Sequence, residues 1–155
     1  MHGQEMQKPI NILIHGGPGT GKSFFTRCIN NAAKEMDYSI QCVGFTGIAA
    51  ANLLPNGRTI HDQFQFSIND LDKLNQLRSR LSPSKLVMLV IDEISYISPE
   101  TIGQIDNRLR QLMGKPEILF GGIGVLLMGD FFQLPPVGEP YTLCSATMKI
   151  LVEQK

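Results

Sequence analysis

Residues 16–23 read Gly-Gly-Pro-Gly-Thr-Gly-Lys-Ser, a full match to the pattern G-x-x-x-x-G-K-S/T, and their neighbours supply the strand and helix that the pattern needs. Gly16, Gly17, Gly19 and Gly21, with Pro18 and Thr20 between them, form a loop whose backbone N–H groups can close around phosphate oxygens. The helix expected to begin near Lys22 points its positive dipole end at the same place. Lys22 adds a mobile charge for the β- and γ-phosphates, and the Ser23 hydroxyl suits Mg²⁺. The alternative, a glycine turn that merely links strand to helix, does not account for the full match in this setting.

A second signal is Asp92-Glu93, which follows the apolar run Leu86–Ile91. Two adjacent carboxylates at a buried sheet end repel each other, a poor arrangement for stability alone. A cation and a water explain both: Asp92 holds Mg²⁺, as the Walker-B aspartate of P-loop enzymes does, and Glu93 is free to orient and deprotonate the attacking water. The competing reading is a solvated strand-end pair. A third signal, Gly129-Asp130-Phe131-Phe132-Gln133-Leu134-Pro135-Pro136, follows another apolar run. Gln133 there can hydrogen-bond a γ-phosphate without adding charge, although the segment alone also reads as a loop with two prolines.

The elements that must position these groups follow from local patterns. Ile10–Ile14 and Ile40–Val43 read as strands, Lys22–Met36 as a helix between them, and Gly47–Leu53 as a further helical stretch before a turn at Pro55–Gly57. Thr59 is placed to cap a helix start, and Leu71, Leu74, Leu77 and Leu81 recur at helical spacing. Leu86–Ile91 suits a central parallel strand covered on both faces. Ser98-Pro99 opens a helix whose apolar face is Ile102, Ile105, Leu109 and Leu112, stopped by Gly114 and Pro116; Val125–Met128 is a last strand. Alternating strands and helices predict an α/β fold, a parallel sheet sandwiched by helices, with ligands beyond the carboxyl ends of the strands. All three polar signals fall there.

Composition excludes several classes. The 155 residues, 43% hydrophobic, fit one domain with a core of its own. Lys plus Arg and Asp plus Glu balance at 14 each, so any nucleic-acid contact must be local and not the work of a broad basic field. Cys28, Cys42 and Cys144 show neither zinc-site nor disulfide-framework spacing, which predicts a reduced, intracellular setting. No apolar run approaches the ~20 residues that span a bilayer, and Met1–Lys8 is polar, so no membrane attachment is expected.

The phosphate loop, Phe45-Thr46-Gly47-Ile48-Ala49-Ala50, Thr59-Ile60-His61-Asp62-Gln63-Phe64, Ile91-Asp92-Glu93-Ile94-Ser95 and Gly129–Val137 occur in that order. Together they resemble the petite-integration-frequency helicases of the RecD-like branch of superfamily 1, over Ile12 to Val137. The resemblance implies a RecA-like P-loop NTPase domain, the first of two between which ATP hydrolysis drives 5′-to-3′ movement on single-stranded DNA. It implies that Lys22 and Ser23 bind phosphates and Mg²⁺, that Asp92 binds Mg²⁺, that Glu93 is the general base, and that Gln133 couples the γ-phosphate to the DNA surface. It also implies DNA contacts by Thr46, Gly47, Thr59 and His61, through hydroxyls, backbone and aromatic faces. Phe45 stands where relatives often carry proline and Asp62 where they often carry serine. Phe45 is expected either to stack on a base or, the favoured reading, to pack at the strand end, since buried aromatics usually serve the core.

By the same resemblance residues 1–155 form domain 1A of a longer helicase, acting as a monomer with ATP and Mg²⁺, with single-stranded DNA and a second RecA-like domain as partners. The nucleus is the expected location, the mitochondrion the alternative. Relatives read adenine through a helix and a glutamine upstream of the loop, for which only Gln4 or Gln7 could substitute here. The arginines that complete the cleft belong to the second domain, so weak turnover is expected of this chain alone. The only space for a strand-separating insertion is Ser67–Ser84, which reads as a short amphipathic helix. Two rival classes are a nucleotide-dependent binding module and a P-loop kinase; the latter would need lid arginines, whereas Arg78, Arg80, Arg108 and Arg110 are expected on helix surfaces.

Overall fold

The computed structural model describes residues 9–66 and 71–130. Five parallel strands form one sheet: β1 (Asn11–His15), β2 (Ser39–Gly44), β3 (Arg58–Thr59), β4 (Leu86–Ile91) and β5 (Gly124–Gly129), in the order β1-β5-β4-β2-β3. Five helices connect them: α1 (Lys22–Glu35), α2 (Gly47–Leu53), α3 (Ile60–Phe64), α4 (Leu71–Leu81) and α5 (Pro99–Met113). Two 3-10 segments, Ile94–Tyr96 and Leu119–Gly122, follow β4 and precede β5. The predicted α/β class and the sandwiched parallel sheet are what is found, with most boundaries within a residue of expectation. The two-residue β3 and the 3-10 turns carry too little periodicity to be read in advance.

Side-chain alternation along the strands makes two cores. Val43, Leu89, Ile91, Val125 and Leu127 face one side, where Ile60 and Phe64 of α3, Leu77 and Leu81 of α4, and Ile102, Ile105, Leu109 and Leu112 of α5 cover them. Cys42, Val90, Leu126 and Met128 face the other, against Ala33 of α1 and Leu53 of α2. The period of two in the strands thus dictates which helix goes to which face. Every residue of β5 is buried, as befits a strand with a neighbour on each edge and helices on both faces.

The helix ends obey local chemistry. Ser98 Oγ accepts from Thr101 N–H at 3.3 Å and Pro99 begins α5, a cap of the kind worth about 1 kcal/mol. Gly114, at φ 64°, ends α5 and donates to the Gln111 carbonyl, while Lys115 N–H reaches the Arg110 carbonyl at 3.0 Å. Gly57 is required by close approach: a Cβ there would lie 1.9 Å from the Ala50 carbonyl oxygen.

Three sequence expectations are corrected. Arg108 does not lie on a helix surface; it is 6% exposed, and its guanidinium donates to the carbonyls of Phe64 and Gln65 at the end of α3 and to Gln111 Oε1. Those terminal carbonyls lack helical partners and need donors, so a cation on α5 is drawn inward to satisfy them. Phe45 is not a packed strand-end residue: it is 48% exposed and stacks on Tyr96 with ring centroids 5.8 Å apart. Leu71 also leaves the apolar stripe of α4, of which Leu77 and Leu81 are buried.

Candidate functional site

The phosphate loop leaves the carboxyl end of β1 and is fastened to the end of β5 by Gly16 N–H donating to the Gly129 carbonyl at 3.1 Å. Gly19 and Gly21 adopt φ of 76° and 89°, a region nearly closed to other residues. No atom of the described residues lies within 4 Å of where their Cβ atoms would be, so among those residues this side of the loop is open. Gly21 is the N-cap of α1, with no side-chain cap and no acidic residue in the first turn. The amides and dipole end of α1 therefore remain available to an anion. Lys22 Nζ donates to the Gly16 carbonyl and, at 2.8 Å, to that of Gly17. Its charge is therefore held at the centre of the loop, and the Thr20 hydroxyl donates to Gly17 O at 2.8 Å from the other side.

Pro18–Ser23 line a cleft of about 550 Å³ together with Thr46, Asp92, Glu93, Gly129 and Asp130. The ends of β1, β5, β4 and β2 thus all open into one space, as the position beyond the strand ends predicts. Asp92 N–H is anchored on the Val43 carbonyl at 2.9 Å. Burial raises the Asp92 carboxyl above its ordinary range, with a smaller push from the Glu93 charge, while the Glu93 N–H and the Lys22 charge pull it down. A half-buried carboxylate held against its own solvation fits a cation site. Among the described residues no group of three or more His, Cys, Asp or Glu side chains converges. A site built from one hydroxyl, one carboxylate and phosphate oxygens suits Mg²⁺, which is bound by few protein ligands.

Glu93 has a left-handed backbone at φ 56°, and its carboxylate is engaged: Oε2 accepts from both the Thr46 N–H and the Thr46 hydroxyl, each at 3.2 Å. The sequence reading leaves this group free, whereas the structure couples it to a residue 47 positions away. Thr46 also caps α2, its hydroxyl accepting from Ala49 N–H at 3.2 Å.

Of the other expected DNA contacts, Gly47 begins α2 and lies against the Thr59 methyl, 3.8 Å from where its Cβ would be. Thr59 ends β3 beside Gly44 of β2 and caps α3 through Asp62 N–H. Thr46, Gly47 and Thr59 therefore form one patch at neighbouring strand ends. His61 is exposed one step further on, its ring edge-on to Phe66. Thr59 lines a separate hollow of about 430 Å³ with Arg58 and Asp62. Arg58, which sequence reasoning passed over, pairs with Asp62 at 2.7 Å. Also missed are Phe24 and Arg27, which extend the cleft along α1; their spacing of three on a helix just after Ser23 is the signal that could have found them. Gln133 lies outside the described residues, as do Gln4, Gln7, Cys144 and residues 67–70 of the expected insertion.

A family model described as PIF1-like helicase matches residues 2–152. The chain belongs to this family. It is 37% identical over 139 residues to the ATP-dependent DNA helicase PIF6 of Trypanosoma brucei brucei, covering 84% of this chain and 17% of that protein. It is 36% identical over 138 residues to the ATP-dependent DNA helicase PIF1 of Saccharomyces cerevisiae, covering 83% and 16%. Among solved structures, Bacteroides Pif1 in complex with ADP-AlF4 superposes with a TM-score of 0.64 at 26% identity, over 97% of this chain and 34% of that one. Bacteroides Pif1 bound to single-stranded DNA gives 0.62 at 27% identity over 96% and 33%. The fold is therefore that of a RecA-like domain in PIF1-like helicases, and the chain spans about a sixth of the two relatives and a third of the solved chains.

Proposed function

We propose that this chain is the ATP-binding domain 1A of an ATP-dependent DNA helicase, working against a second RecA-like domain. The observation that carries the reading is the meeting of Pro18–Ser23 with Asp92 and Glu93 across one cleft. Backbone amides of the loop take the phosphates, and the Lys22 ammonium exchanges its glycine carbonyls for the β- and γ-phosphate oxygens. Ser23 and Asp92 are the residues that would hold Mg²⁺, which would supply charge neutralisation for the phosphates. Glu93 orients the attacking water and accepts its proton. Gln133, by family resemblance, hydrogen-bonds the γ-phosphate and passes its presence to the DNA surface. That surface is the Thr46, Gly47 and Thr59 patch with His61, contacting single-stranded DNA through hydroxyls and backbone.

Bacteroides Pif1, to which the chain is similar, has been solved in complex with ADP-AlF4 and bound to single-stranded DNA, which supports both halves of this reading. Translocation from 5′ to 3′, action as a monomer and a place in nuclear or mitochondrial genome maintenance belong to the same proposal. No helix among the described residues is long and apolar enough to cross a membrane. An intact Glu93 argues against a binding module without hydrolysis. The test is ATP turnover by this chain with and without oligo(dT). Weak turnover is expected, because cleft arginines supplied from elsewhere are worth ~10³–10⁵ in related systems; robust, DNA-stimulated hydrolysis would refute the incomplete motor. Lys22→Ala is expected to abolish nucleotide binding, and unchanged binding would remove the phosphate-site assignment.

A further inference from the structure

We propose that Thr46 is a positioning residue for Glu93: it holds the carboxylate in a parked state, and single-stranded DNA releases it by competing for the same two protons. The inference rests on the reading of Glu93 as the base and of Thr46 as a DNA contact, and it joins the two.

Thr46 offers one N–H and one O–H donor. Both go to Glu93 Oε2 at 3.2 Å, while the hydroxyl oxygen accepts from Ala49 N–H. No donor of Thr46 is left for a phosphate, so Glu93 and a DNA phosphate exclude each other there. The same count applies to Glu93: both lone pairs of Oε2 are committed, so only Oε1 is open to a water and the carboxylate is fixed on the Thr46 side of the cleft. The contact spans 47 residues and so is no accident of local chain geometry. Glu93 makes it from a left-handed backbone, φ 56°, which a non-glycine residue keeps only where its surroundings hold it. A second contact runs alongside. Phe45, next to Thr46, stacks on Tyr96, three residues past Glu93. The exits of β2 and β4 are therefore joined twice, and a displacement of one is felt by the other. Thr46 and Phe45 are both exposed, so a DNA strand can reach them.

The decisive variant is Thr46→Val. Valine keeps the size and branching of threonine and adds no charge beside Glu93, but its side chain has no proton to give; the lost α2 cap, about 1 kcal/mol, is read separately as stability. At saturating ATP and Mg²⁺, turnover without DNA is expected to rise about tenfold, the scale of losing one charge-assisted hydrogen bond. KM for ATP is expected to stay put and oligo(dT) to add nothing further, whereas Thr46→Ser restores the DNA response. A residue that only caps a helix predicts that Thr46→Val loses stability but turns over ATP like the parent per folded molecule, and that result overturns the proposal. A second readout needs no hydrolysis. The Glu93 carboxyl ¹³C resonance of the parent chain is expected to move when oligo(dT) binds and to be insensitive to oligo(dT) in Thr46→Val. Oligo(dT) that binds the parent without moving this resonance refutes the coupling alone. Failure of oligo(dT) to bind at low salt refutes the DNA reading on which the coupling rests, as does full turnover in Glu93→Gln for the base.

Discussion

Replacing Asp62 by serine is expected to strengthen single-strand binding and to steepen its salt dependence. Arg58 lies beside the Thr46, Gly47 and Thr59 patch, but its guanidinium is paired with Asp62 at 2.7 Å, with side chains 47% and 52% exposed. An exposed pair of this kind is worth at most about 1 kcal/mol to the fold, usually less. The Asp62 N–H that donates to Thr59 Oγ1 is a backbone group and survives the change, so α3 keeps its cap. The cost to folding is therefore a few tenths of a kcal/mol. On DNA the effect is larger. A freed Arg58 gains one phosphate, which for a single strand steepens the slope of log K against log salt by about 0.7. Between 50 and 200 mM salt the advantage of the variant over the parent then shrinks by a factor of about 2.6. At the low-salt end the gain is about 1 kcal/mol, roughly fivefold in affinity. Fluorescence anisotropy of a labelled oligo(dT) across that range measures both quantities. Parallel salt lines for parent and variant, or weaker binding by the variant, would show that Arg58 does not face the DNA.

Asp92→Asn is expected to raise the melting temperature at neutral pH while weakening Mg²⁺-dependent nucleotide binding. The folded carboxyl is held above its ordinary value, so its ionisation opposes folding as pH rises through the folded value; a lower melting temperature would count against this. Gln63 is 1% exposed and, among the described residues, neither of its amide atoms has a hydrogen-bond partner, so Gln63→Met is expected to stabilise by about 1–2 kcal/mol, about 2–8 °C. A destabilised variant in calorimetry would contradict that assignment. Cys42 is fully buried and its thiol is pushed up to about 12, chiefly by burial. Iodoacetamide at pH 8 is expected to modify the exposed Cys28 and spare Cys42 until unfolding, read by peptide mass. Stability is expected to fall by about 1.4 kcal/mol per pH unit above pH about 9, where the unfolded thiol ionises first and the folded one does not. Gly129→Ala places a Cβ 2.7 Å from Ile94 Cγ2 and 3.2 Å from its backbone nitrogen. It is expected to cut turnover beyond what its loss of stability explains, because the displaced turn carries Glu93; turnover tracking the folded fraction would exclude this.

What could be read in advance was what local chemistry decides. Glycines with positive φ in the phosphate loop, the Ser98-Pro99 entrance and Gly114 exit of α5, and the apolar runs of β4 and β5 each announce themselves within a few residues. The order β1-β5-β4-β2-β3 does not, because it depends on which strand edges meet across tens of residues. Arg108 shows why charge misleads: a guanidinium looks like a surface group until the carbonyls ending α3 arrive as its partners. Phe45 shows the converse, an aromatic that looks like core but finds its partner, Tyr96, outside it. In the site, the residue types were legible but their connections were not. The Thr46–Glu93 contact joins two motifs that the chain presents as separate, and no spacing rule relates them.

The position of β5 explains how those connections can carry a signal. Because β5 lies between β1 and β4, its last residue, Gly129, touches both halves of the cleft. Its carbonyl accepts from Gly16 N–H at the root of the phosphate loop, and its missing side chain lets Ile94, the neighbour of Glu93, approach closely. The chain then runs through Asp130, which lines the cleft, into the segment that holds Gln133. A glycine is thus required at position 129 by packing, not by backbone conformation. On the other side of Glu93, Thr46 makes the corresponding contact from β2. The acidic turn is therefore gripped from both flanks, by the strand that leads to Gln133 and by the strand that leads to Thr46 and Gly47. A parallel sheet in which these strands were not neighbours of β4 could hold the same residues, yet it would leave Glu93 with no contact to either.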